Sequence, residues 1–134
     1  MLKKISSVVL LLALCAAPTW TDPQISRVVT FTSGTAQRVA PTRTMANSLL
    51  VEMLPGSTGI GYVLYADPAL TCVHTTAGQI VAELAPGTAT APGGNFTFPS
   101  NNDATTQSGG SDMNWWCVEG TTSDTAIVSY DLKH

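Results

Sequence analysis

Two cysteines and a histidine carry the sharpest chemistry in this sequence. Cys72 and His74 stand two positions apart, and Cys117 follows 45 positions after Cys72. Tetrahedral zinc needs ligands in closely spaced pairs; these three do not supply that pattern, and no metal site is expected. Cys15 falls within an N-terminal apolar run, which leaves Cys72 and Cys117 as an even pair. A disulfide between them is expected in an oxidising compartment, with two buried free thiols as the alternative.

A general base at His74 would need a carboxylate to orient it and a nucleophile beside it. The sequence places neither, so a structural or surface histidine is expected. Glu52 and Glu83 fall in predicted strands, where solvated faces explain them without catalysis. Gly109-Gly110-Ser111-Asp112-Met113 comes nearest to a hydrolase nucleophile elbow and fails at its fifth position. Dinucleotide, phosphate-loop and zincin fingerprints are missing from the chain. No cofactor and no enzymatic activity are therefore expected. Asn101, Asn102, Asp103 and Asp112 offer oxygen ligands, but their spacing is not that of a calcium-binding helix–loop–helix. Asn101, Asn102 and Asp103 are better read as binding residues on a polar loop.

Trp115 and Trp116 are the most informative aromatics. Consecutive residues of a strand point to opposite faces. Met113, Trp115 and Cys117 would then share the core face, and Trp116 would face outward as a contact for a sugar or a neighbouring subunit; the alternative is that both rings are buried between two layers of an assembly.

The elements that must position these residues are strands. From Ile25 onward, apolar residues alternate or form short runs separated by Gly, Pro, Asn and Asp. Strands are predicted over 27–32, 36–40, 48–54, 61–65, 79–84, 95–98, 114–119 and 125–130. Eight short strands predict an all-β fold, an antiparallel β-sandwich or jelly roll. Pro55-Gly56 and Asp67-Pro68 supply turns. The Gly-rich stretches 86–94 and 99–112 are expected to be mobile or bound by a partner.

The chain has 134 residues, the size of one domain, and only 11% of them are charged. Lys3 and Lys4 precede an apolar run from Ile5 to Ala17, the layout of a signal peptide. As a helix that run would span roughly 20 Å, short of the roughly 30 Å core of a bilayer. Residues 1–22 are thus expected to be a leader helix, cleaved or retained as a hydrophobic arm, with no stable transmembrane span after processing. Residues 23–134 form the expected β-sandwich domain. Without Lys3 and Lys4 the balance is 4 basic to 9 acidic residues, a net of −5, which disfavours a nucleic-acid partner. Arg27, Arg38 and Arg43 lie early in the chain, and the next basic residue is Lys133.

Five segments carry a family resemblance: residues 32–39 (TSGTAQRV), 54–63 (LPGSTGIGYV), 91–99 (APGGNFTFP), 115–121 (WWCVEGT) and 124–130 (DTAIVSY). In this order the chain resembles small β-sandwich accessory proteins of tailed-phage virions, which decorate capsids or form fibres. The resemblance implies a non-enzymatic, oligomeric structural subunit located in the virion. Its partners would be copies of itself, other virion proteins and, through outward loops, a host-surface glycan. The alternative expectation is an exported bacterial module, secreted or periplasmic, that recognises a glycan or protein through Trp116 and the polar loops.

Overall fold

The computed structural model describes residues 23–32, 34–98 and 110–133. The expected leader helix and the loop residues Asn101, Asn102 and Asp103 lie outside the described residues. Nine strands run in chain order: β1 (Gln24–Thr30), β2 (Gln37–Arg38), β3 (Met45–Met53), β4 (Gly61–Tyr65), β5 (Ile80–Leu84), β6 (Asn95–Phe98), β7 (Ser111–Asp112), β8 (Trp116–Glu119) and β9 (Thr125–Leu132). They form two antiparallel sheets, one ordered β1-β9-β3-β6 with β7 also on β3, the other β2-β8-β4-β5. The fold is all-β and sandwich-like. Among the described residues no helix is long and apolar enough to cross a membrane.

Period-two patterning builds the larger sheet. In β3, Leu49, Val51 and Met53 are buried while Leu50 and Glu52 are only partly covered. Across the register, Val51 faces Val128 and Met53 faces Ala126, so both strands direct the same alternation inward. From the smaller sheet, Val63, Leu84, Trp116 and Val118 close the same core. All eight predicted strands have a counterpart, with β1 and β3 each starting three residues early. The seven-residue β1 pairs with β9 along its whole length, from Gln24 opposite Asp131 to Thr30 opposite Thr125, which explains its earlier start. β2 is cut to two residues, and β7 is a strand the sequence pattern did not signal.

The turns are fixed by local chemistry. Gly56 has φ +85°, which a glycine adopts without steric cost, and Ser57 N–H donates back to the Leu54 carbonyl at 3.3 Å. Asp124 is buried, and its carboxylate accepts from the backbone N–H groups of Thr58 (2.9 Å) and Gly59 (2.7 Å), tying the β3–β4 loop to the β8–β9 turn. The 86–94 stretch differs from expectation. Thr88 accepts from Gly56 N–H at 2.7 Å, Met53 from Gly93 N–H at 2.8 Å and Ala85 from Gly94 N–H at 2.9 Å. Its glycines allow this close main-chain approach: a Cβ on Gly93 would sit 2.3 Å from the Ala85 carbonyl oxygen. The stretch is a laced turn.

The smaller sheet has a second buried face. Leu64 and Cys117, on the side away from the main core, pack with Ala66 and Cys72 in a separate cluster. Residues 66–79, which join β4 to β5, cover this face. Arg38 holds the start of this segment, donating to the carbonyls of Ala66 (2.8 Å), Asp67 (3.0 Å) and Leu70 (2.6 Å), and to that of Asn114 (2.8 Å). The Cys72–Cys117 disulfide, with Cα atoms 6.5 Å apart, fixes its middle. Gln79 holds its end, accepting from Val73 N–H at 2.9 Å and donating to the Thr71 carbonyl at 3.2 Å.

Closing a 45-residue separation removes unfolded-state entropy worth about 4 kcal/mol. Reduction, or Cys72→Ser, is expected to lower the unfolding free energy by about that amount, measured as the urea midpoint with and without reductant. An unchanged midpoint would contradict an anchoring role for the bond.

Candidate functional site

The two tryptophans occupy places opposite to those expected. Trp116 is 5% exposed and belongs to the core between the sheets, whereas Trp115 is only partly buried. The reason is a 3₁₀ turn over Met113–Trp115, which brings the chain into β8 two residues later than the strand reading places it. In a 3₁₀ turn residues i and i+3 eclipse, so Met113 and Trp116 fall on one side, and both are in the main core. Cys117 lies on the other face, not beside Met113. The missed signal was Asp112: as the turn's N-cap it accepts from Asn114 N–H at 3.0 Å and from Thr44 N–H at 3.0 Å.

Trp116 is the hub of an aromatic cluster that bridges the sheets. Phe96 and Phe98 of the larger sheet approach it with ring centroids at 5.6 and 5.4 Å. Tyr65 of the smaller sheet meets it edge-on at 5.0 Å. Its indole N–H donates to Ser111 Oγ at 2.8 Å, which satisfies the polar end of a buried ring. Trp115 stacks on the outer side of Tyr65, centroids 5.5 Å apart and planes 29° from parallel.

Tyr65, Phe98, Trp115 and Trp116 wall an open cleft of about 890 Å³ that Arg43, Ser111, Asp112 and Val81 also line. Tyr65 is 41% exposed within it. At the rim, Arg43 Nε lies 3.9 Å from Asp112 Oδ2, and the Arg43 side chain is 82% exposed. The cleft therefore combines an apolar, flat wall with a carboxylate acceptor, a guanidinium donor and a hydroxyl. Such a surface can hold a ligand that has both a hydrophobic face and hydrogen-bonding edges.

His74 has the carboxylate partner that the sequence could not place. Its Nδ1 lies 2.8 Å from Glu119 Oε1, and its backbone N–H donates to Glu119 Oε2 at 3.1 Å. The imidazole also stacks on Tyr62, centroids 4.7 Å apart and nearly parallel. Glu119 is buried in β8, so one carboxylate takes both the ring and the main chain of the covering segment. This is an orienting pair, and a cleft of about 310 Å³ lies over it, lined also by Ile60 and Thr121. Among the described residues no cluster of three or more His, Cys, Asp or Glu side chains can hold a metal ion.

A clue to Glu119 was present: Cys72 pairs with Cys117, and the same offset of 45 joins His74 to Glu119. Comparison with protein-family models, curated proteins and solved structures finds no match to the chain in any of the three.

Truncating a buried aromatic costs about 3–5 kcal/mol, against about 1 kcal/mol for a partly exposed stacked ring. Trp116→Ala is therefore expected to unfold at a much lower denaturant concentration than Trp115→Ala. Equal midpoints for the two variants would reverse the assignment of which ring is structural.

Proposed function

We propose that the chain is a non-enzymatic binding and assembly subunit of a phage virion, a capsid-decoration or fibre component. The observation that carries this reading is the strand order. With the short β7 set aside, β1-β9-β3-β6 facing β2-β8-β4-β5 is the double Greek key of a jelly roll, an architecture recurrent in viral capsid and lectin domains. The resemblance in sequence to virion accessory proteins points the same way. Self-association is favoured by the edges: Val28 on β1 is 60% exposed, and Ile80 and Val81 on β5 are exposed too. Edge strands with exposed apolar side chains are sites where another chain can add.

The His74–Glu119 pair is accounted for by its structural task of holding the covering segment, which fits a subunit that binds without catalysis. The partners on this reading are copies of the same chain and neighbouring virion proteins. Arg27 and Arg38 direct their guanidinium groups at main-chain carbonyls of their own chain, leaving Arg43 as the outward-pointing arginine.

One observation favours a second reading. The Cys72–Cys117 disulfide suits an oxidising compartment, as expected of an exported binding module, secreted or periplasmic. Intact mass and sedimentation of the natural protein separate the two. A virion subunit is expected to co-sediment with purified particles at fixed stoichiometry. A free chain, shortened by about 16 residues as a signal-peptide cut predicts and absent from particles, would overturn the virion reading in favour of export.

A further inference from the structure

We propose that the aromatic cleft is a binding site for a neutral saccharide, with the Tyr65–Trp115 pair as the stacking wall and the Asp112–Arg43 rim as the hydroxyl-binding edge. The inference rests on the reading of the chain as a protein that binds and adds the chemical class of the ligand. It stands on three independent features of the cleft.

The first is shape. At about 890 Å³ the cleft falls within the roughly 300–1,000 Å³ range of small-ligand sites, and Trp115 and Tyr65 line it as a stacked pair with planes 29° apart, so an aromatic ring face forms part of its wall. A pyranose ring has an apolar C–H face of matching breadth. The second is the state of the wall. Tyr65 and Trp115 remain partly exposed although Trp116, next in sequence, is buried. Trp116, held by Ser111 and flanked by Phe96 and Phe98, packs edge-on against Tyr65, on which Trp115 stacks, so the outer rings are supported without a ligand. Preorganisation of that kind lowers the ordering cost of binding.

The third is charge. Asp112 Oδ1 is committed to two backbone N–H groups, whereas among the described residues Oδ2 has the Arg43 guanidinium near it at 3.9 Å, beyond hydrogen-bond length. A carboxylate oxygen and a guanidinium separated by that gap offer an acceptor and a donor to adjacent hydroxyls, each of which donates and accepts. Because the two charges are opposite and equal, the rim selects neither an anion nor a cation. An apolar ligand would leave both groups desolvated and unpaired, at a cost in affinity. A neutral polyol with an apolar face satisfies the wall and the rim together.

The test uses the full chain, labelled, on an array carrying neutral and acidic saccharides, followed by tryptophan-fluorescence titration with the strongest neutral binder. Saturable binding is expected. Trp115→Ala and Tyr65→Ala should each weaken it about tenfold or more, the loss of a stacking contact of at least 1.4 kcal/mol. Tyr65→Phe should retain it, and the urea midpoints of the variants show whether they fold. The proposal is overturned if no saccharide on the array binds, if only acidic ones do, or if Trp115→Ala binds like the parent chain. It is overturned equally if Trp115→Ala abolishes incorporation into particles while no saccharide binds, which would make the cleft a protein interface. If incorporation is unchanged and saccharide binding fails, the virion reading stands and only this inference falls.

Discussion

A four-stranded sheet that buries side chains on both faces needs a cover on the face turned away from its partner sheet, and that requirement organises this molecule. Leu64 and Cys117 are fully buried on the outer side of β4 and β8. Among the described residues the 66–79 segment covers them, with Ala36 packed alongside, and it has no regular secondary structure and so no ladder of its own to hold it. Long irregular connections persist in compact domains when side chains bind their backbone. Here Arg38, Glu119 and Gln79 do so in succession, with the disulfide between them. Each reaches main-chain atoms, so the segment's path is specified by polar geometry more than by its own apolar content.

That cover also sets the cleft. The segment leaves the sheet directly after Tyr65 and rejoins it before Val81, two residues that line the cleft beside Trp115. The register shift between Val63 and Leu64 in the β4–β5 pairing marks where β5 re-enters, and it turns Val81 towards the cleft. On the opposite wall, Asp112 has a corresponding part: it caps the 3₁₀ turn and fastens Thr44 at the start of β3. One aromatic surface thus depends on two distant polar fixings, each made to backbone.

Much of the fold was legible because its inward residues obey period two over long strands. β3 and β9 show this best: Leu49, Val51 and Met53 are buried between partly covered neighbours, Ala126 and Val128 are buried on either side of the partly covered Ile127, and both strands fall where the pattern predicts them. Legibility failed where the period changed without a glycine or proline to announce it. At Met113–Trp115 three residues of 3₁₀ turn interrupt an apolar run that reads as strand, and the misreading exchanged the two tryptophans. It failed also for partners distant in sequence. Glu119 was an unremarked strand residue until the disulfide register placed it opposite His74, and Asp124 gave no local hint that it would bind Thr58 and Gly59. The 86–94 stretch misled by composition, since its glycines serve tight main-chain contacts that a polar, Gly-rich string does not reveal.

The position of the disulfide decides which layer of the molecule it secures. Neither cysteine belongs to the core between the sheets; both lie in the satellite cluster beneath the 66–79 segment. The larger core, from Val29 to Tyr130, joins the sheets with no contribution from either sulfur. The bond thus fastens the cover, which Arg38 and Glu119 also hold, and not the sandwich itself. Losing the bond would therefore loosen the cover before it loosened the sandwich.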